Sequence, residues 1–140
     1  MKRFVLISLI AGSLAACAVE PTNQRPDHQV PAARIYIPSM TEAAAGLSEV
    51  KISRSTGVFY SLGGMELSIN DVVLAELADG EHMSVWLKPG TYTFGIKPKH
   101  ALNGAAAEVT APIALDVKSG SNYALRIAGS GGRITFRQGN

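Results

Sequence analysis

The chain has 140 residues, 46% of them hydrophobic, with 13 basic and 11 acidic side chains and a single cysteine. Lys2 and Arg3 supply the whole charge excess, so eleven basic residues face eleven acidic ones beyond the leader. That balance offers no net field to draw nucleic acid, and one thiol excludes an internal disulfide, so a domain here must hold by its core alone.

Residues 1–17 divide into three zones: basic Lys2 and Arg3, an apolar run from Phe4 to Ala11, and Leu14-Ala15-Ala16-Cys17. The apolar run is too short to span a bilayer, which reads as a signal peptide over residues 1–16 rather than a transmembrane helix. Leu14 to Cys17 resembles the bacterial lipobox. The resemblance implies diacylglyceryl transfer to the Cys17 sulfur, cleavage before Cys17 and acylation of the new N-terminus with a palmitate-type chain. A thiolate is the nucleophile that can carry such a thioether. Two or more acyl chains anchor stably, at roughly 0.8 kcal/mol per buried methylene. Ala18 stands where Asp would signal retention in the inner membrane. The resemblance therefore implies a lipoprotein on the periplasmic face of the outer membrane, with the covalent lipid on Cys17 and no other cofactor. The other reading is an ordinary secretory leader with an incidental cysteine.

Residues 17–31 form the lipidated N-terminus and a tether. Ala18 to Pro31 carries three prolines and few apolar residues, and at about 3 Å per residue it holds a domain some 30–40 Å from its anchor. His28 lies in it as a solvated side chain.

From Ala32 to Asn140 the chain reads as one β domain. Arg34 to Ile37 is a first strand. Ser39-Met40-Thr41-Glu42 fits a capping box, with one helical turn over Ala43 to Ala45 ending at Gly46. Val50 to Ser53 and Val58 to Ser61 are short strands, and Gly63-Gly64 turns into the cleanly alternating Met65 to Ile69. Asn70-Asp71 is a tight turn into Val72 to Leu77. Asp79-Gly80 is a type I′ hairpin signal before Glu81 to Leu87. Pro89-Gly90 is a type II turn signal before Thr91 to Lys97, with Tyr92, Phe94 and Ile96 on one face. Ile113, Leu115 and Val117 alternate, Ser119-Gly120 turns, and Tyr123, Leu125 and Ile127 alternate again. Gly129 to Gly132 leads into Ile134 and Phe136. Eight or nine half-apolar strands with turns every 8–12 residues give an all-β fold, an antiparallel sandwich of Ig-like or transthyretin-like form, ahead of a closed barrel.

Three stretches carry a family resemblance: Ala33-Arg34-Ile35-Tyr36-Ile37, Leu87-Lys88-Pro89-Gly90-Thr91-Tyr92, and Val117 to Arg126. Their order and spacing resemble an uncharacterised family of bacterial lipoprotein domains related in form to transthyretin-like and carboxypeptidase-regulatory sandwiches. The likeness covers about residues 32–128. It departs at Asn70-Asp71, where the family carries Asp-Gly, and at Asn122-Tyr123, where it has paired tyrosines. The resemblance implies a fold and no activity.

Chemical motifs are sparse. His28, His82 and His100 are scattered, and Asp79, Glu81 and His82 together read first as a polar turn and only second as metal ligands. Gly129-Ser130-Gly131-Gly132 joins two strands, so it lacks the strand-to-helix context of a nucleophile elbow or a phosphate cradle. Neither a catalytic nor a metal residue is expected. Trp86 alternates out of phase with Met83, Val85 and Leu87. It packs against a second layer or, if exposed, offers an aromatic anchor for a protein or glycan. Pro98 to Pro112 is the longest irregular segment, with Lys99 and His100 at its start and an apolar tip at Ala105; long loops in compact sandwiches often make contacts. Trp86, Lys99, His100 and Ala105 are the candidate partner-binding residues. The expected function is a lipid-anchored, non-enzymatic binding or scaffold module for a periplasmic protein partner, with a sheet edge as one docking route. The alternatives are a subunit of a trans-envelope secretion or assembly complex and a peptidoglycan- or glycan-binding module.

Overall fold

The computed structural model describes residues 28–56, 63–99, 108–109, 111–130 and 133–139. Its strands, in chain order, are β1 His28–Gln29, β2 Ser48–Arg54, β3 Met65–Ile69, β4 Val72–Leu77, β5 Glu81–Leu87, β6 Gly90–Pro98, β7 Glu108–Val109, β8 Ile113–Val117, β9 Tyr123–Ser130 and β10 Arg133–Gln138. They form a six-stranded sheet in the order β1-β5-β2-β9-β10-β7 and a four-stranded sheet in the order β4-β3-β6-β8. The all-β sandwich read from the alternation is the fold. The four-stranded sheet is antiparallel throughout. The larger sheet is mixed, because β2 runs parallel to β9 at its centre and the two short strands β1 and β7 pair parallel at its rims.

Each sheet turns one face inward. The inward side of β2 and β5 carries Val50, Ile52, Met83, Val85 and Leu87; β3, β4 and β6 bring Leu67, Leu74, Leu77 and Phe94; β8, β9 and β10 bring Leu115, Val117, Leu125, Ile127, Ile134 and Phe136. A period of two puts alternate side chains on opposite faces, so burying one face of each sheet is what the alternation requires.

Local structure departs from expectation where the chain crosses between sheets. Arg34 to Ile37 is no strand. Ala32–Arg34 is a 3-10 turn, and only Ile35 makes a single antiparallel bridge, to Ala75. Prolines 31 and 38 bracket too few residues for a ladder, and the segment must travel from one sheet to the other. It leaves β1 beside β5, buries Val30 in the core, and reaches β4, where the Tyr36 N–H donates to the Leu74 carbonyl at 2.8 Å. His28 to Pro31, inside the stretch read as tether, thus take part in the described fold. The helical turn lies at Pro38–Thr41 rather than Ala43–Ala45. Pro38 opens it, since proline suits the first helical position, and no side chain caps it, so the capping box is not formed. Gly46, at φ +82°, closes the following turn, in which the Leu47 N–H donates to the Ala44 carbonyl.

Asn70 and Asp71, at φ +49° and +65°, form the two-residue turn joining β3 to β4. Positive φ at both places matches the type I′ geometry that a right-twisted hairpin favours. Asp79-Gly80 makes no hairpin: β4 and β5 belong to different sheets, and only Gly80 has positive φ. Pro89-Gly90 likewise carries the chain between sheets, with Gly90 at φ +155°, far from the type II value near +80°. The strand expected over Val58 to Ser61 lies outside the described residues.

The three stretches that carry the family resemblance each hold a tyrosine that fixes a connection. The Tyr36 hydroxyl donates to Glu76 at 3.4 Å, and the Tyr92 hydroxyl donates to the Lys88 carbonyl at 3.0 Å. The Tyr123 hydroxyl accepts the Lys118 N–H at 2.8 Å. Their part in the fold is local pinning.

Candidate functional site

Two polar regions stand out. The first gathers at the end of the sandwich where β4 and β6 finish and β5 begins. Counting inward from Leu87, the alternation of β5 places Glu81 inside, and it is 7% exposed. A carboxylate there needs donors, because an unpaired buried charge is costly. Arg34 supplies them: both its terminal nitrogens grip the Glu81 carboxylate, one at 2.8 Å, while the Ala78 N–H donates at 2.7 Å. The same guanidinium also donates to the Glu76 carbonyl at 3.2 Å. The Glu81 hydrogen bond holds the Arg34 pKa above its ordinary value. Beside it, Lys99 donates to Glu76 at 2.5 Å, and the Lys99 N–H donates to the Gly64 carbonyl at 2.9 Å. Lys99 thereby holds Glu76 below the ordinary carboxylate range and is itself raised. A Cβ on Gly64 would sit 2.1 Å from the Glu76 carboxylate, so glycine is what leaves room for the pair. Arg54, 3% exposed, extends the region inward and donates to the carbonyls of Leu77 at 2.7 Å and Gly63 at 3.0 Å.

This arrangement locks loops and strand ends together. Each charged group just named already has a partner within the chain, which suits a brace more than a reacting centre. Among the described residues, no three His, Cys, Asp or Glu side chains come together as metal ligands.

The second region is the outward face of the larger sheet. Trp86 stands there, half-buried, with His82 and Ser84 beside it on β5. It does not pack in the core between the sheets: Met83, Val85 and Leu87 take that side. Its register neighbour on β2 is Glu49, whose carboxylate accepts from the Ser84 hydroxyl at 2.5 Å. Of the sequence candidates, the structure therefore puts Trp86 on an outward face and Lys99 in the brace. They lie on different sheets, so the fold does not join them into one site. His100, Ala105 and Cys17 lie outside the described residues.

Arg34, Glu76, Glu81 and Arg54 were missed as a group. A signal for two of them was present, because strand alternation puts Glu81 in phase with Met83 and Val85, and Arg54 in phase with Val50 and Ile52. A charged residue at an inward position implies a buried partner. Comparison with protein-family models, with curated proteins and with solved structures finds no match to this chain.

Proposed function

We propose that the protein is a lipid-anchored envelope module, tethered through Cys17 on the periplasmic side of the outer membrane, that binds a partner without catalysing a reaction. The observation that carries this reading is the place of Trp86. A large aromatic ring sits half-buried on an outward sheet face, outside the core between the two sheets. Tryptophan in such a place is a frequent binding anchor because it adds much contact area at little entropic cost. The leader and its terminal thiol support the anchor. Docking at a sheet edge has one place to act. β1 covers part of the β5 edge, β7 covers part of the β10 edge, and Ile35 bridges β4, whereas β8 has no strand on its outer side among the described residues. Covered rims are how natural sandwiches avoid strand addition.

The test is photo-crosslinking in living cells, with the probe at Trp86 and at Ala105 and a control probe in the tether, followed by mass spectrometry. One discrete adduct at Trp86 or Ala105, lost on Cys17→Ala, is the expected result. Crosslinking at neither position above the tether control would defeat the binding-module reading. An adduct containing glycan rather than protein would move it to a peptidoglycan-binding role.

A further inference from the structure

Beyond Lys2 and Arg3 the acidic and basic side chains balance, and they are sorted between the two faces of the fold. On the outward face of the larger sheet, β2 presents Glu49, Lys51 and Ser53, and β9 presents Ala124, Arg126 and Ala128. β10 presents Arg133, Thr135 and Arg137, and β5 adds no acid. Lys51, Arg126, Arg133 and Arg137 are all exposed, and, besides the inward Glu81, the acids of this sheet are Glu49 on the outward side of β2 and Glu108 on β7, the register partner of Arg133. The opposite face, on the smaller sheet, carries Glu66, Glu76 and Asp116 against Lys97 and Lys99, the latter paired with Glu76.

The register sharpens the sorting. Arg126 and Arg137 stand directly opposite each other on β9 and β10, and Ser53 continues the same row on β2. Like charges directly opposite on neighbouring strands are destabilising. The Arg126 Nε–H donates to the Ser55 hydroxyl at 2.8 Å, and Arg137 makes no hydrogen bond or ion pair among the described residues. No acid lies in this row to offset the repulsion. Two guanidinium forks side by side, flanked by small residues at 53, 124, 128 and 135, make a surface suited to accept oxyanions.

We propose that this face lies against an anionic phospholipid bilayer, with Lys51, Arg126 and Arg137 meeting the phosphates of the headgroups. Two observations favour a bilayer over an acidic protein. The chain enters the fold through β1, on the rim of this same sheet, only eleven residues after Cys17. Trp86 shares the face, and tryptophan favours the headgroup level. The inference rests on the membrane-anchored reading, in which a tether of eleven residues from Cys17 to His28 is a leash that lets the face come down onto the headgroups.

Its test does not depend on the lipid. Every buried apolar residue described lies between Val30 and Phe136, so a chain beginning at Ala18 keeps the whole described core. Co-flotation of that chain with vesicles of phosphatidylcholine mixed with phosphatidylglycerol should show binding that weakens steeply with salt, and vesicles of phosphatidylcholine alone should show none. Arg126→Gln together with Arg137→Gln should weaken binding roughly thirtyfold without lowering the urea midpoint, because relief of the repulsion offsets the lost Ser55 hydrogen bond. Lys97→Gln, on the other face, should leave binding unchanged. No binding to the anionic vesicles at low salt overturns the proposal. Equal loss from Lys97→Gln also overturns it, as does retention of polyglutamate in place of vesicles, which would indicate an acidic protein. Failure here with a discrete crosslink at Trp86 would leave the partner-binding reading standing, and success with no crosslink would leave only the bilayer contact.

Discussion

Arg34 and Glu81 show how one side-chain pair can hold a crossing segment. The guanidinium reaches from the 3-10 turn at Ala32–Arg34 to the first residue of β5, so it binds the incoming chain to the core sheet. Its geometry is bidentate, which lysine cannot reproduce. Arg34→Ala should cost about 2 kcal/mol, less than for a fully buried pair because the Arg34 side chain keeps 28% of its exposure. Arg34→Lys should recover less than half of that, read from urea midpoints. Glu76 gives a pH signature. Lys99 lowers its folded pKa from the ordinary 4.5, so the unfolded chain takes up a proton more readily than the folded one. Stability from this group is then fully present above pH 4.5 and fades as pH falls through the lowered folded value. Glu76→Gln should therefore be less stable than wild type near neutral pH and converge on it in acid. A gap between the two that stays constant from pH 7 to pH 3 would contradict the assignment.

At the scale of strands and turns, the β3–β4 hairpin keeps an unusual loop. Asp71 adopts left-handed backbone at φ +65°, where an L-residue is strained and glycine is not. Asp71 is exposed and next to Asn70, so Asp71→Gly creates the Asn-Gly pair that type I′ turns prefer. It should raise stability by about 0.5–1 kcal/mol. A thermal midpoint that falls instead would mean that the aspartate makes a contact outweighing its strain. The same hairpin shows what a sequence can convey. Met65 to Ile69 alternates and runs into a turn, and local pattern suffices because the partner β4 is adjacent in the chain, even though β4 breaks phase at a register shift that buries both Leu74 and Ala75. Ile113 to Val117 and Tyr123 to Ile127 were legible for the same reason of period. The crossings were not. Asp79-Gly80 and Pro89-Gly90 carry hairpin or turn chemistry, yet which sheet the next strand joins is decided by long-range packing. The parallel pairing of β2 with β9 joins residues some seventy positions apart, and no local spacing encodes it. The brace of Arg34, Glu76, Glu81 and Lys99 was half legible: inward phase marked Glu81, but its partner Arg34 comes from a segment that reads as a strand until its flanking prolines are weighed.

For the whole molecule, the decisive feature is that two segments cover parts of three of the four sheet edges, β8 being the fourth. Residues 28–36 pass from β5 in the larger sheet to β4 in the smaller one, and β7 lies along β10 four residues before β8 begins. Each strap shields a rim that would otherwise present unpaired backbone groups. The first strap also contributes Val30, buried at 4% exposure, whose N–H donates to the His82 carbonyl at 2.9 Å. The boundary between tether and domain therefore matters. Cutting the chain so that it starts at Ala18 removes nothing that the core uses, and stability should be unchanged. Starting at Ala32 removes β1 and Val30 together. Burial of a valine side chain is worth about 1.5–3 kcal/mol, so the shorter chain should lose at least that much. It should also expose the β5 edge, and concentration-dependent light scattering should report the association that follows. Equal urea midpoints for the two truncations, with no scattering from either, would place the domain boundary at Ala32 and make β1 a passenger of the tether. A lower midpoint and scattering for the shorter chain alone would make residues 28–30 the clasp that joins the preceding segment to the fold, so that a pull on that segment is borne first by the edge of the larger sheet.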